Sequence, residues 1–436
     1  MKIKITFLSL IISWASIYAQ EKLTIEDAVQ LGLEYNLAIK ISKKTAETSA
    51  VNSELSYGAL LPTFNVTANK SFSNTDVTQQ LASGGEARKI DNAKTSNLNL
   101  SPTLNWTVFD GLGMFHTRNR LKTLAQVGED DLRLQIENSI AQISNAFYRV
   151  VLENERARVF QIALDLSRKR LELAKTRYEV GKASKLVFLQ AQVDYNTDSS
   201  NYLTQRELIH NVLVEMNRLL GQDLERNYEI SAGFNYDDSI QLNDIISSAS
   251  LNNAGVVRAQ RNLEANYLQI KELNAQKLPV LNVNFGYTYN DRISDAGAVL
   301  SNLSTGFSYG AGASWNIFNG FDLKRREQNA KIQVELSELQ IEDLRQSLES
   351  DIRKVYGSYQ NSLRLNELEA LNLEVAKENY DIALERFKVG NTTAVELREA
   401  QINLVQAEIR KINAQYNIML AEIELKRLSG GNVKPE

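Results

Sequence analysis

Four stretches of the chain alternate apolar and polar side chains with a period of two. From Thr63 to Phe72 one face carries Phe64, Val66, Ala68, Lys70 and Phe72, and from Asn97 to Val108 it carries Leu98, Leu100, Pro102, Leu104, Trp106 and Val108. Leu281 to Asn290 presents Leu281, Val283, Phe285, Tyr287 and Tyr289, and Gly306 to Ile317 presents Phe307, Tyr309, Ala311, Ala313, Trp315 and Ile317. Asn, Thr, Ser and Gly fill most of the positions between. The pattern predicts strands with one apolar and one wet face. A soluble β-sandwich is the commoner home for it. Runs of about 9 to 11 tilted residues, with aromatic residues near the interfaces and a polar lumen, also suit strands that span a membrane.

Helical periods separate these strands. Leu23 to Tyr57 and Leu242 to Lys277 are rich in Ala, Leu, Glu, Lys and Gln and stop before Pro62 and Pro279, with Asn36 and Asn253 expected to interrupt them. Gly113 to Glu179 and Asp322 to Lys388 are each 67 residues without proline, long enough for ~100 Å of helix. Spacings of three and four, as in Ile136, Ile140, Ile143, Phe147, Val150 and in Ile341, Leu344, Leu348, Ile352, Val355, Tyr359, predict a coiled-coil-like seam. Gly181 and Gly390 mark reversals, and return helices follow from Ser184 to Leu219 and from Thr393 to Leu428. Stacked end to end, Leu37 to Leu60 and a return helix would reach ~90 Å, close to the long helix. A sandwich gives no reason for that match. The fold expected is mainly α with β, each repeat giving two full-length helical columns and two strands.

The elements occur twice. Trp106-Thr107-Val108-Phe109-Asp110-Gly111 returns as Trp315-Asn316-Ile317-Phe318-Asn319-Gly320, 209 positions later. Arg177-Tyr178-Glu179-Val180-Gly181 returns as Arg386-Phe387-Lys388-Val389-Gly390 at the same offset, whereas Leu61-Pro62 and Asn36 return as Leu278-Pro279 and Asn253 at 217. A tandem internal repeat follows: residues 20–228 with a hairpin over 62–109, and 229–436 with a hairpin over 279–318. The first hairpin has the longer loop. Ser73 to Ser96 and Asp291 to Ser304 are expected as polar loops, Gly221 to Gln241 as a polar link, and the tail from Ser429 as disordered.

Composition narrows the setting. Lys2, Lys4, the apolar run Ile5 to Ile12 and small residues to Ala19 read as a secretory signal over residues 1–19. The formal charge of −4 becomes about −6 without it, which leaves no basic surface for nucleic acid. No later run is long and apolar enough for a transmembrane helix. Cysteine is absent, so there is no disulfide, thiolate metal site or lipidated cysteine. Only His116 and His210 exist, far apart and best read as helix-surface residues. They cannot hold a metal as a pair or serve a Ser-His-Asp arrangement. No catalytic residue, metal site or cofactor is assigned.

The opening Leu23-Thr24-Ile25-Glu26-Asp27-Ala28, the Leu-Pro before each hairpin, the Phe-Asp-Gly and Phe-Asn-Gly after them and the two Arg-(Tyr/Phe)-x-Val-Gly turns, in this order and twice, resemble the TolC family of outer-membrane efflux proteins. The likeness spans nearly the whole mature chain. It implies a homotrimer in which four strands per subunit close a twelve-stranded transmembrane β-barrel in outer-membrane lipid, continued by an α-helical coiled-coil tunnel through the periplasm. Four strands cannot close a barrel alone, since even the smallest have about eight. The implied function is a passive exit duct that docks a periplasmic adaptor protein and an inner-membrane transporter. The competing reading is a soluble periplasmic coiled-coil adaptor or structural protein.

The resemblance assigns adaptor docking to the tips, Arg177, Val180 and Gly181 with Arg386, Val389 and Gly390. It assigns a tunnel constriction to Glu396 and Glu399, two carboxylates three apart after the second tip turn. The first repeat has Val187 and Gln190 there. Thr393-Ala394-Val395-Glu396 equally fits a capping box, in which Glu396 serves the helix terminus. Three departures matter. Leu37 replaces the proline usual after the first asparagine; Pro102 lacks an N–H, so a bulge or strand start is expected nearby; and Lys70 belongs near an interface, where its charge costs roughly 0–1 kcal/mol rather than 2–4.

Overall fold

A computed structural model describes residues 21–80, 84–230, 232–297 and 299–431. The predicted signal and most of the tail lie outside them. In chain order the elements are β1 (Glu21–Lys22), α1 (Ile25–Tyr35), α2 (Leu37–Glu54), β2 (Thr63–Gln79), β3 (Arg88–Phe109), α3 (Gly113–Glu179), α4 (Lys185–Leu220), β4 (Tyr228–Glu229), α5 (Leu242–Asn252), α6 (Ala254–Ala275), β5 (Val280–Ser294), β6 (Ser301–Ser314), α7 (Asp322–Lys388) and α8 (Ala394–Leu428). They pack as two compact units. One holds the residues up to Ser42, Leu132–Ala254 and those from Arg345 on; the other holds Lys43–Asp131 and Gly255–Leu344.

The second unit contains an antiparallel sheet in the order β2-β3-β5-β6. Its two hairpins share one register: Thr63 pairs with Asn105 in the first and Val280 with Ser314 in the second, the same two positions moved by the repeat offsets. The strands outrun the expected boundaries. Residues expected as loop, Ser73 to Gln79 and Arg88 to Ser96, continue β2 and β3, and Asp291 to Ser294 with Ser301 to Ser304 continue β5 and β6. Polar side chains on both faces erase the period-two signal there, yet the backbone ladder persists. A bulge between Thr75 and Val77 is held by Asp76 Oδ1, which accepts the Asn92 N–H at 2.8 Å. Asn92 stands at φ 54°, in the region Asn tolerates.

Pro102 is accommodated differently from the expectation. It pairs with Val66 without a bulge, and the β3–β5 ladder skips Ser101 and Pro102 and resumes at Thr103 in unchanged register. The missing N–H therefore costs two rungs and no shift. Lys70 lies in one register row with Leu98, Asp291 and Leu303. That row carries charge on the face where the row of Phe64, Leu104, Phe285 and Tyr309 is aromatic and aliphatic and carries none.

Each strand-to-helix turn has two residues in the left-handed region, Gly111 and Leu112 at φ 74° and 69°, Gly320 and Phe321 at 67° and 66°. Asp110 Oδ2 accepts from the Met114 N–H at 2.7 Å and so caps α3; Asn319 does the same for α7 through Leu323 at 3.4 Å. The tryptophan before each turn donates its indole N–H to the carbonyl two residues before the proline, Trp106 to Leu60 and Trp315 to Lys277, both at 2.9 Å.

The first unit is helical and its core realises the predicted seam. Ile143, Phe147 and Val150 of α3 pack with Ala28, Met216, Leu220, Met419 and Ile423. Ile352 and Tyr359 of α7 pack with Ala249, Ile418 and Leu425. Burial of each large side chain contributes roughly 1.5–3 kcal/mol. Tyr359 also donates its hydroxyl to the Asp237 carbonyl, and burial pushes its phenol up to about 12. Gly221 to Gln241 is less polar in effect than its composition suggests. Tyr228 in β4 is buried, Phe234 and Tyr236 join the core, and β4 pairs in parallel with β1.

Both long helices run unbroken over the predicted 67 residues. The shorter ones break at Asn36 and Asn253, and at Asn36 no proline is needed. Its Oδ1 accepts from the N–H groups of Ala38 and Ile39 at 2.9 and 3.2 Å, which starts α2. Its Nδ2 donates to the Leu219 carbonyl at 2.7 Å, at the end of α4. Asn253 Nδ2 repeats this with Leu428 at 3.1 Å. The end of each return helix thus abuts the start of a shorter helix, as the stacking argument required. The first shorter helix ends sooner than expected, giving way to a 3₁₀ segment over Leu55–Leu60.

Gly221 and Gly430 close the two junctions at φ 64° and 70°. A Cβ on either would lie 2.5 Å from a backbone oxygen, that of Tyr35 or Asn252. Gly221→Ala is expected to lower the midpoint of helix melting, at a cost of about 2 kcal/mol or more from φ strain and overlap. Gly357→Ala, in mid-helix where a Cβ meets nothing within 4 Å, should be neutral or stabilise by up to about 1 kcal/mol. Thermal circular dichroism of both variants checks the contrast.

Candidate functional site

The two predicted tips lie in the helical unit and are joined by Arg177. Each turn is built alike. Gly181 and Gly390 adopt φ 74° and 83°, and the next residue donates back five positions, Lys182 to Arg177 at 2.7 Å and Asn391 to Arg386 at 2.8 Å. This Schellman closure satisfies carbonyls that the ends of α3 and α7 would leave open. Arg177 then reaches across. Its Nη2 donates to the carbonyls of Phe387 and Lys388 at 3.4 and 3.3 Å, and its guanidinium lies 5.0 Å from the centre of the Phe387 ring. A cation on the last carbonyls of α7 is favoured by the helix dipole, so one tip holds the other in place. Arg386, its repeat counterpart, is exposed. Val180 and Val389 project outward, 61% and 71% exposed.

Glu396 is engaged as a cap. It accepts from the Thr393 N–H at 3.2 Å, donates its own N–H to Thr393 Oγ1 at 3.2 Å, and also accepts from the Thr392 hydroxyl. The Thr392 hydroxyl first, and then the Thr393 N–H, hold its carboxyl below the usual carboxylate range. Because its folded pKa is depressed, the stability it supplies is present above the ordinary glutamate range and lost as pH falls through the folded value. Glu399 sits one turn on, exposed, with no hydrogen bond or ion pair among the described residues. The first repeat has no such cap, since Ser184 makes no side-chain bond to α4.

Behind the tips lies a set of polar contacts that sequence reasoning missed. Arg398 grips Asp198 with two bonds of 2.7 and 2.8 Å, joining α8 to α4 across 200 positions. Arg170 holds Asp194 at 2.7 Å and joins α3 to α4. Burial pushes the Arg170 guanidinium below its usual value. Gln401, buried next to Ala400, donates to the Ala163 carbonyl at 3.1 Å. The sequence signals for this set are the spacing of Asp194 and Asp198, one helical turn apart on one face, and the return of Ala191-Gln192 as Ala400-Gln401 at the repeat offset.

The chain matches the family model described as outer membrane efflux protein twice, over residues 41–222 and 245–431. The outer membrane efflux protein BepC of Brucella suis is 20% identical over 330 residues, 75% of this chain and 71% of that protein. The outer membrane protein TolC of Vibrio cholerae is 20% identical over 403 residues, 89% of this chain and 86% of its own. Among solved structures, the CmeC outer membrane channel of Campylobacter jejuni superposes with a TM-score of 0.80 at 16% identity, covering 99% of this chain and 94% of that one. VceC of Vibrio cholerae superposes with 0.74 at 16% identity, covering 93% and 96%. A duplicated helix–hairpin–helix chain with these strands and tips, matched twice by one family model, belongs to the outer membrane efflux protein family.

Proposed function

We propose that three copies of this chain form an outer-membrane exit duct: the sheets close a twelve-stranded barrel, and the helices continue it into the periplasm, where the tips dock an adaptor of an inner-membrane pump. The observation that carries this reading is the sheet. Its two edges are unpaired among the described residues, and Phe64, Val66, Phe72, Phe307 and Tyr309 stand exposed on it. An apolar face of that kind needs lipid, and open edges need further strands. A soluble periplasmic adaptor would have no use for either. The duct is passive, and no residue is assigned a catalytic role.

Glu399 is the better candidate for a charged constriction, since Glu396 is occupied by its cap. Three-fold symmetry would gather three copies of each around the tunnel mouth. Two unit charges ~8 Å apart interact by ~0.5 kcal/mol in water and ~2 kcal/mol at an effective dielectric of 20, so such a ring would favour cations. The purified protein in planar bilayers should show stepwise conductance with cation preference. Glu399→Gln should shift the reversal potential toward anions without changing the melting midpoint. Glu396→Gln should lower the midpoint. A protein that gives no conductance steps removes the duct, and unchanged selectivity in Glu399→Gln removes the constriction.

A further inference from the structure

The sheet fixes how one copy joins the next. The two hairpins have one register, and the ladder between them, β3 against β5, is known residue by residue. Moving β3 by 209 gives β6, and moving β5 back by 217 gives β2. We propose that β6 of one copy pairs antiparallel with β2 of a second copy in the register this transfer dictates. Ser314 then lies opposite Thr67, as Asn105 lies opposite Asn284, and Asn316 opposite Asn65, as Thr107 lies opposite Asn282. The inference rests on the proposed assembly and adds its register.

Three further features of the chain fit a missing neighbour at this place. First, β3 runs on to Phe109 because Trp106, Thr107 and Phe109 pair with the start of β5, whereas β6 stops at Ser314 and leaves the equivalent Trp315, Asn316 and Phe318 unpaired. The expectation that this strand reaches Ile317 fails in the isolated chain for want of a partner.

Second, Gly111 is pressed against the second repeat: a Cβ there would lie 2.2 Å from the Ala275 oxygen and 2.9 Å from the Leu278 Cβ. Its counterpart Gly320 has the same positive φ and nothing within 4 Å. Beside Gly320 is an open cleft of about 580 Å³ lined by Lys277, Trp315, Asn316, Ile317, Asn319 and Asp322. By the same transfer, Gly58 and Leu61 of the second copy fill the places of Ala275 and Leu278. Side-chain volume trades across the two interfaces. Gly113 meets Ala275 within the chain, and Asp322 meets Gly58 between chains.

Third, the helices beside the sheet differ in chemistry. Within the chain α3 and α6 are tied by Arg120 with Glu272 at 2.9 Å and by Arg261 with Asp130 at 2.9 Å. The counterparts of Glu272 and Asp130 are Leu55 and Leu339, 59% and 64% exposed. Across the contact Leu55 faces Asn329 and Leu339 faces Lys44, so neither ion pair is reproduced between copies, and pairing available only within a copy keeps the two interfaces from exchanging. The contact is head to tail, and closure of the barrel after three copies makes it a ring.

The cysteine-free chain allows a direct test. In the Thr67→Cys, Ser314→Cys variant the two Cα atoms fall within disulfide range. In the Thr67→Cys, Asn316→Cys variant, two residues out of register, they lie about 7–8 Å apart, too far for a bridge. Under oxidant, the first variant should give reductant-sensitive dimers and trimers as its main species, with at least a tenfold lower yield from the second. The Asn65→Cys, Asn316→Cys variant should repeat the first result and guards against a local folding defect. Cross-linking of the out-of-register pair, or of neither, in protein that native mass shows to be trimeric overturns the register alone. A monomeric parent chain overturns the assembly, and the register with it.

Discussion

Export should fall to the level of a strain lacking the gene when Val180 and Val389 are both replaced by aspartate, while the amount of trimer in the outer membrane stays normal. The two valines are exposed on glycine turns that close without them, because the Schellman bonds run between backbone groups. The fold therefore loses nothing when they change. In the proposed docking these side chains are buried against the adaptor, where an unpaired carboxylate costs several kcal/mol. That is enough to dissociate an adaptor held by a few such contacts. Val180→Ala and Val389→Ala together should weaken export only partly, since alanine removes area without adding charge. Normal export in the double aspartate variant, at normal trimer level, ends the docking role.

Asp198→Ala should produce the largest loss of stability. The pair it makes with Arg398 is largely buried, with 7% and 17% of the side chains exposed, and it joins elements far apart in sequence. Removing one partner from a buried pair leaves a charge without compensation and costs about 3–5 kcal/mol. Replacing both with apolar residues, as in Asp198→Leu with Arg398→Met, should recover most of that. A double-mutant cycle on melting midpoints reads the coupling directly. Equal destabilisation by the single and the double variant would show that the pair contributes packing and no charge compensation.

The parts legible in sequence were those with a local cause. Gly113 to Glu179 and Asp322 to Lys388 match their predicted helices because neither contains proline and each ends at a glycine with positive φ. The capping box of Thr393 and Glu396 was also legible, since its donors and acceptors lie three residues apart. What escaped had a distant cause. Ser73 to Gln79 is a strand because Arg88 to Thr95 lies beside it, and no alternation in its own residues says so. Asn36 was marked as a break, but its amide's grip on Leu219 spans 183 positions. The same holds for Arg398 and Asp198, whose meeting depends on how the return helices pack. On the proposed pairing, β6 ends early for a still more distant reason, since the strand that would extend it belongs to another copy.

Duct, tips and strand register all depend on the chain working as an outer-membrane trimer. Native mass measurement on protein extracted from outer membranes in mild detergent tests it most directly. One species with three times the mass of the mature chain is expected, released from the outer-membrane fraction only by detergent. A monomer in detergent, or a protein recovered in the soluble periplasmic fraction, would contradict it.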